Sequence, residues 1–534
     1  EKQFESGNMR NAWAGLKTLT GQNKTCSKCH LPEEERVDFS NKLNEFYCRF
    51  EQNDLREQLE TVMSNVTNNC DKDNEMFYIE KSRIVHLFKK LNISKAVGPD
   101  NICGNLLKLC ADQLSFAFSK LFSWSLNTGV VPSVWKKSTI CPVPKTKNPK
   151  EFNDFRPVAL TSIVMKSFER IVLQYLLPQV KDVLDPNQFA YKQKRSTDDA
   201  TMTILNHAYT HLENKDSFVR ILFVDFSSAF NTIQPHMMAT KLQILQVTPK
   251  MILWIVNFLV NRLQSVRFEG TFSSDRATFT GAPQGTVLSP VLFTLYTNDC
   301  TGTSVTPVIK YSDDTAIEDL SNSDSVYFQE IQNFCKWCKD NYLDLNVSKT
   351  KEMVIDFRTN APPIPDLFIE GMKVDRVQEY KYLGTILDNK FDFNANTAFI
   401  HNKCQPRIYC LQKLRSLNVK KDVLCMFYRS FVESVLTFGF LCWFSNLSVK
   451  NKSVLNRVVN VCSKIVGKKQ ESLCSLYESR VIKKARYIAS DETHILSQHY
   501  ELLPSGRRYR IPKMKTNRHK NSFIPRSIQL LNQQ

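Results

Sequence analysis

Residues 221–225, Ile-Leu-Phe-Val-Asp, form a short apolar run that ends in an acid, and residues 308–311 and 315–317 form two more apolar stretches around Ser312-Asp313-Asp314. Runs of this length, rich in β-branched and aromatic residues, predict buried strands, and the second pair predicts two strands joined by a tight turn. Adjacent acids between apolar strands are costly without a cation, because like charges at close range oppose ionisation. Taken alone, an Asp-Asp turn reads first as an ordinary solvated hairpin tip. Taken as a set, Asp225, Asp313 and Asp314 are a hard-oxygen donor group suited to two magnesium ions about 4 Å apart, with manganese as a substitute.

Lys and Arg number 71 against 53 Asp and Glu, a formal charge of +18, which favours a polyanionic partner over a neutral one. The 16 cysteines are scattered, and no secretory signal opens the chain, so reduced thiols in the nucleus or cytoplasm are expected. Cys26, Cys29 and His30 have the spacing of a haem-attachment box or half a zinc site, but nothing nearby completes either, and the spacing is read as chance. The most apolar windows, residues 251–260 and 434–444, fall short of the ~20 residues a bilayer needs, so they predict buried helices and no membrane partner. The chain opens on Glu1 without a methionine, and a fragment of a longer reading frame is expected.

Helical periodicity is expected around residues 39–59, at 81–91, 105–126, 164–180, 198–212 and 325–341, and strands at 138–143, 156–160 and 352–357. Residues 226–233 start helix-like. Lys95-Ala-Val-Gly-Pro-Asp100 must turn. Beyond residue 387 the pattern is almost wholly α-helical, repeated in style at 454–466. Residues 504–525 read as a basic tail with little apolar periodicity. The fold class expected is α+β with an all-α region behind it.

Several segments together resemble a known family. Tyr311-Ser-Asp-Asp314 resembles the YxDD box of reverse transcriptases, and Phe223-Val-Asp-Phe-Ser-Ser-Ala-Phe230 resembles their first palm carboxylate motif. Gly281-Ala-Pro-Gln-Gly-Thr-Val-Leu-Ser-Pro290 is similar to the PQG box between them. Phe155-Arg-Pro-Val-Ala-Leu160, after Pro142-Val-Pro-Lys145, resembles the fingers motif. Leu345-Asn-Val-Ser-Lys-Thr350 and Tyr380-Lys-Tyr-Leu-Gly384 are similar to the two downstream palm motifs. Lys95-Ala-Val-Gly-Pro-Asp100 resembles an extra upstream motif of non-LTR (LINE-type) retrotransposon enzymes. One YxDD is weak; these boxes in the family's order are specific.

The resemblance implies a right-hand polymerase, with a helical lead-in or linker (1–80), fingers and palm with an antiparallel sheet (81–388), an α-helical thumb (389–470) and a basic C-terminal extension (471–534). It implies Asp225, Asp313 and Asp314 as catalytic metal ligands, with a backbone carbonyl after Asp225 as a further ligand. Phe230 matches the family's steric gate, which excludes a 2′-hydroxyl; a core phenylalanine is the alternative. Gln284 is implied beside the incoming sugar, on a turn shaped by Gly281, Pro283 and Gly285. Lys145 and Arg156 are candidates to clamp the triphosphate, and Lys349 to protonate pyrophosphate, though each could be one more exposed cation. Tyr382, Leu383 and Gly384 match the primer grip. In the tail, Arg507, Arg508, Arg510, Lys513 and Lys515 form a cationic run for template RNA or target DNA, or a merely solvated one.

The implied reaction is RNA-directed DNA synthesis by two-metal nucleotidyl transfer, with deoxynucleoside triphosphates, a template RNA and a DNA primer or target as partners; the oligomeric state stays open. An RNA-dependent RNA polymerase would share the palm but place an acid or amide where Phe230 stands. A catalytically silent, retroelement-derived nucleic-acid-binding protein is the alternative from another class, which the intact acids oppose. Fewer than a hundred residues precede the upstream motif, too few for the endonuclease that such elements commonly carry there.

Overall fold

The computed structural model describes Gly15 and residues 32–51, 55–70, 76–146, 148–359 and 361–534. Cys26, Cys29 and His30 lie outside these residues.

The strand that carries Asp225 is the spine of the molecule. It runs over Phe218–Val224 (β3), after β1 (Lys137–Pro144) and β2 (Phe155–Thr161), and every residue in it is buried. Successive side chains on a strand point to opposite faces, and here both faces are covered. Val219, Ile221 and Phe223 enter one core, Leu222 and Val224 another. That two-sided burial is why the sequence reads as continuous apolar rather than alternating.

Around the spine lies a sheet of five strands in the order β12-β9-β3-β8-β7, with β7 Val308–Tyr311, β8 Asp314–Asp319, β9 Lys351–Asp356 and β12 Asp375–Arg376. All its pairings are antiparallel except β12 with β9. A second sheet joins β1 and β2, antiparallel, to β4 (Arg262–Phe268) in parallel, with β5 (Thr271–Phe272) and β6 (Arg276–Thr278) on β4. A small hairpin joins β10 (Phe368–Ile369) to β11 (Met372–Lys373), and another joins β13 (Glu379–Tyr382) to β14 (Thr385–Asp388).

Helix Ile163–Val180 is capped by Ser162, whose hydroxyl accepts from the Met165 amide, and it fills the core on one side of β3. Helix Thr197–His211 opens with a reciprocal capping box between Ser196 and Asp199 and packs on the other side. The lead-in helix Glu33–Tyr47 is fastened to the second sheet: Asn44 donates to Ser273 Oγ (3.1 Å) and accepts from Gln264 Nε2 (2.9 Å).

Several expectations need correction. The helix expected over 105–126 is two, Gly104–Leu109 and Ala111–Thr128, broken at Cys110. Residues 226–233 contain only the turn Ala229–Asn231, because the backbone there pairs with residues 344–346 instead. The apolar window 434–444 is split by Gly439, in the left-handed region at φ +61°. After the polar stretch 504–516, helix Phe523–Asn532 returns to the core through Phe523, Ile524 and Ile528. Among the described residues no single helix is long and apolar enough to cross a membrane.

Candidate active site

The two acid-bearing segments meet by strand register. Val224 on β3 faces Thr315 on β8, so the next rung sets Asp225 opposite Asp314. β7 and β8 pair Tyr311 with Asp314, which leaves Ser312 and Asp313 as a two-residue turn. Ser312 takes a left-handed φ of +63° there, as such hairpin turns require. Its strain is opposed by partners: the Ser312 amide donates to Gln188 Oε1 (3.1 Å), and its hydroxyl lies 3.3 Å from the Tyr191 hydroxyl.

On its other side, the segment after β3 bridges residue 345. The Ser227 amide donates to Asp344 O, and the Asn346 amide donates to Asp225 O, each at 2.8 Å. These two bonds flank the Phe226–Leu345 pair, so the Phe226 carbonyl turns away from Leu345, toward β8 and its acids. A backbone oxygen is therefore directed at the same place as the carboxylates.

The three acids feel one another. Loss of solvent in the cleft, then the charges of Asp313 and Asp225, push Asp314 up to about 6. Asp225 is also raised, by desolvation first and by Asp313, against the lowering pull of Lys349 and Lys145. Unrelieved repulsion among hard oxygen donors is the electrostatic setting a divalent cation removes; among the described residues no group of three or more His, Cys, Asp or Glu is arranged to hold one by itself.

A cationic fringe faces the acids. Lys349 Nζ lies 3.8 Å from Asp225 Oδ2. Lys145 stands at the mouth of the β1–β2 hairpin, its ammonium donating to Asn153 O (2.7 Å), and Arg156 is exposed on β2 opposite Val143. The Lys145 ammonium is held below its usual range by desolvation, then by Lys349, Arg156 and Arg49, so these cations share one neighbourhood.

Phe230 is half-buried with its ring 5.1 Å from that of Phe293, and its carbonyl accepts from the Ala282 amide (2.8 Å). That bond ties the carboxylate loop to the PQG turn. Gly285 takes φ +120°, and a Cβ there would meet the Ala159 carbonyl at 2.7 Å; Gln284 O accepts from the Ala159 amide at the same distance. The glycine is required by this approach of two backbones.

The β13–β14 hairpin turns at Leu383 and Gly384, both with positive φ. Tyr380 stacks on Phe223, and buried Tyr382 lies near the same ring, 5.4 Å between centroids. The tail cations stand apart from this cleft in their contacts: Arg507, Arg508 and Lys513 are exposed, Arg510 lies 3.6 Å from Glu501, and Lys515 is held at Glu213.

Three site-bordering residues escape sequence reading. Fully buried Glu169 accepts from the Val287 and Leu288 amides behind the PQG turn, Glu51 accepts from the Phe279 and Thr280 amides before it, and Arg49 reaches Ser228. All act across more than a hundred residues, and no local pattern marks them.

The sheet thus brings an acid at one strand end to an acidic hairpin, and a glycine-bounded turn is tied to the acid-bearing loop. Residues 143–387 match the family model for reverse transcriptase (RNA-dependent DNA polymerase). The chain is 28% identical over 394 residues to the RNA-directed DNA polymerase from mobile element jockey of Drosophila melanogaster, covering 70% of this chain and 42% of that protein. It is 25% identical over 447 residues to the probable RNA-directed DNA polymerase from transposon BS of the same species, covering 80% and 48%. It is 22% identical over 401 residues to the retrovirus-related Pol polyprotein from type-1 retrotransposable element R1 of Bradysia coprophila, covering 73% and 39%. Over residues 143–387 the chain is similar to reverse transcriptases, and these curated relatives are RNA-directed DNA polymerases or Pol polyproteins of mobile elements. It spans less than half the length of these relatives.

Proposed function

We propose that this chain is an RNA-directed DNA polymerase that extends a DNA primer on an RNA template. The observation that carries the reading is the register that ends with Val224 opposite Thr315, which brings the next residue, Asp225, to the rung of Asp314, with Asp313 in the turn beside it. Asp225, Asp313, Asp314 and the Phe226 carbonyl would hold divalent ions, magnesium by the hardness of the donors. When bound, such ions activate a primer hydroxyl and neutralise the leaving pyrophosphate.

The remaining residues bind, orient and discriminate. Lys145 and Arg156 would receive the triphosphate, and Lys349, already beside Asp225, would offer a proton to the departing pyrophosphate. Phe230 and Gln284 would bracket the sugar, the ring leaving no room for a 2′-hydroxyl. Tyr382, Leu383 and Gly384 would seat the primer end. In this reading residues 81–388 are fingers and palm, the helices from 389 to 470 the thumb, and the extension beyond them, with Arg507, Arg508, Arg510, Lys513 and Lys515, a surface for RNA or target DNA. Work on genomic DNA would place the protein in the nucleus.

Primer extension by the purified protein tests the reading. The expected result is magnesium-dependent extension with deoxynucleotides on an annealed RNA template. Tight primer–template binding with no extension in magnesium or manganese would sink it in favour of a silent nucleic-acid-binding protein.

A further inference from the structure

Arg49 lies two residues beyond the end of the lead-in helix Glu33–Tyr47, and it is held in a specific pose. Its guanidinium lies 3.9 Å from the centroid of Phe46 and 4.1 Å from that of Phe50. One nitrogen donates to Phe46 O (2.7 Å), the other to Ser228 Oγ (3.2 Å). A guanidinium has five N–H donors, and these two bonds use a minority of them. The residue as a whole is exposed.

Its destination is informative. Ser228 lies three residues after Asp225 and two before Phe230, on the loop that carries both the carboxylate and the ring beneath the sugar. Arg49 is among the cations that hold the Lys145 ammonium down, which places it in the same neighbourhood. The placement is also fixed from behind. Glu51, two residues on, accepts from the Phe279 and Thr280 amides at 2.9 and 3.2 Å, next to the PQG turn. Asn44 and Gln264 hold the helix to β4. The segment 44–51 thus touches the carboxylate loop through Arg49 and the residues before the PQG turn through Glu51. The charge of Asp344 favours the guanidinium, and its two hydrogen bonds go to a carbonyl and a hydroxyl. A planar fork stacked between rings and edged toward a cationic fringe is suited to phosphate.

We infer that Arg49 is a nucleotide-binding residue, which contacts the triphosphate of the incoming nucleotide together with Lys145. The inference rests on the polymerase reading and adds a residue from outside the sequence boxes, on the lead-in. A charge-assisted contact of this kind changes affinity by about 10-fold or more.

The test compares Arg49→Ala and Arg49→Lys with the unaltered chain in steady-state extension and in equilibrium binding of dTTP to the protein on a primer–template, with magnesium present. For Arg49→Ala the expected result is a KM and a Kd for dTTP about 10-fold higher, with primer–template affinity at fixed salt and thermal midpoint both retained. Arg49→Lys should recover part of the loss. An unchanged dTTP Kd would overturn the inference, as would a loss confined to primer–template affinity, which would assign Arg49 to a strand phosphate. If the unaltered chain does not extend primers, the polymerase reading fails by itself, and the dTTP binding comparison still decides the role of Arg49.

Discussion

Tyr380 lies flat on Phe223, with 4.0 Å between ring centroids and 11° between planes. Phe223 is two residues before Asp225 and only 1% exposed, so the β13–β14 hairpin is keyed to the strand that presents the acid. An aromatic stack contributes about 0.5–1.5 kcal/mol beyond the area it buries. Tyr380→Ala should therefore release the hairpin without unfolding the sheet. Extension from an annealed primer should fall about 10-fold, while Tyr380→Phe, which keeps the stack, stays near the unaltered rate. Equal losses in both variants would mean that the hydroxyl, not the stack, matters.

Asp313 stands in the turn, exposed, with no strand pairing of its own, so its amide variant changes charge and little else. Asp313→Asn should lower extension at least about a hundredfold, the scale of losing one preorganised electrostatic partner. Primer–template binding and the thermal midpoint should stay. Extension at the original rate would remove Asp313 from the site.

Phe230 packs against Phe293 while its carbonyl anchors the PQG turn through a backbone bond. Because that anchor is main chain, Phe230→Val shortens the side chain and leaves the loop tied. The ratio of deoxy- to ribonucleotide incorporation should fall about 10-fold or more. A constant ratio would leave Phe230 as core packing alone.

The strands that bear the acids were legible because each is a short apolar run with its acid at the end, and the register between β3 and β8 follows once both are placed. The helix Ile163–Val180 was legible from periodicity. β4 was not. Only Arg262, Val266 and Phe268 in it are buried, and it includes Arg262, Gln264 and Arg267, so nothing local separates it from a loop until β1 supplies a parallel neighbour. Gly439 hides in an apolar window, and only its left-handed φ breaks the helix there. Ser312 shows a further limit: its sequence position announces a small residue, but its positive φ and its bonds to Gln188 and Tyr191 exist only in the folded chain.

Asp199 is wholly buried where the C-terminal region docks on helix Thr197–His211. It accepts from Lys484 Nζ (2.7 Å), from the Ser196 amide and hydroxyl (2.9 and 2.7 Å), and lies 3.0 Å from His494 Nε2. Burial pushes its carboxyl up, but His494, Lys484 and Ser196 outweigh burial and hold it below the ordinary 3.8. With the folded value below the unfolded one, the unfolded chain takes up the proton first. The stabilisation is full above about pH 3.8 and is lost as pH falls toward the folded value. Asp199→Asn should cost about 3–5 kcal/mol near neutral pH, because Lys484 loses its counter-charge. Its unfolding free energy should also fall less steeply than the unaltered chain's below pH 4. Parallel acid limbs in urea titrations would show that Asp199 titrates alike in both states.

The basic stretch after Pro504 invites deletion as a test of nucleic-acid binding, but deletion would remove Phe523, Ile524 and Ile528 from the core, and Ser527 from its bond with the Tyr500 hydroxyl (2.7 Å). Loss of binding by such a truncation would report on folding. Charge removal avoids this. Arg510 lies near Glu501 and Lys515 near Glu213, whereas Arg507, Arg508 and Lys513 are exposed. The triple variant Arg507→Gln, Arg508→Gln, Lys513→Gln should keep its thermal midpoint. If each of the three meets a phosphate, the slope of log K against log salt for single-stranded RNA should shrink by about 2, at roughly 0.7 per contact. Because none of the contacts of these cations is with the acid-bearing segments, the KM for deoxynucleotide on a saturating primer–template should not move. An unaltered salt slope would leave the stretch as a solvated strap that carries the last helix back to the core.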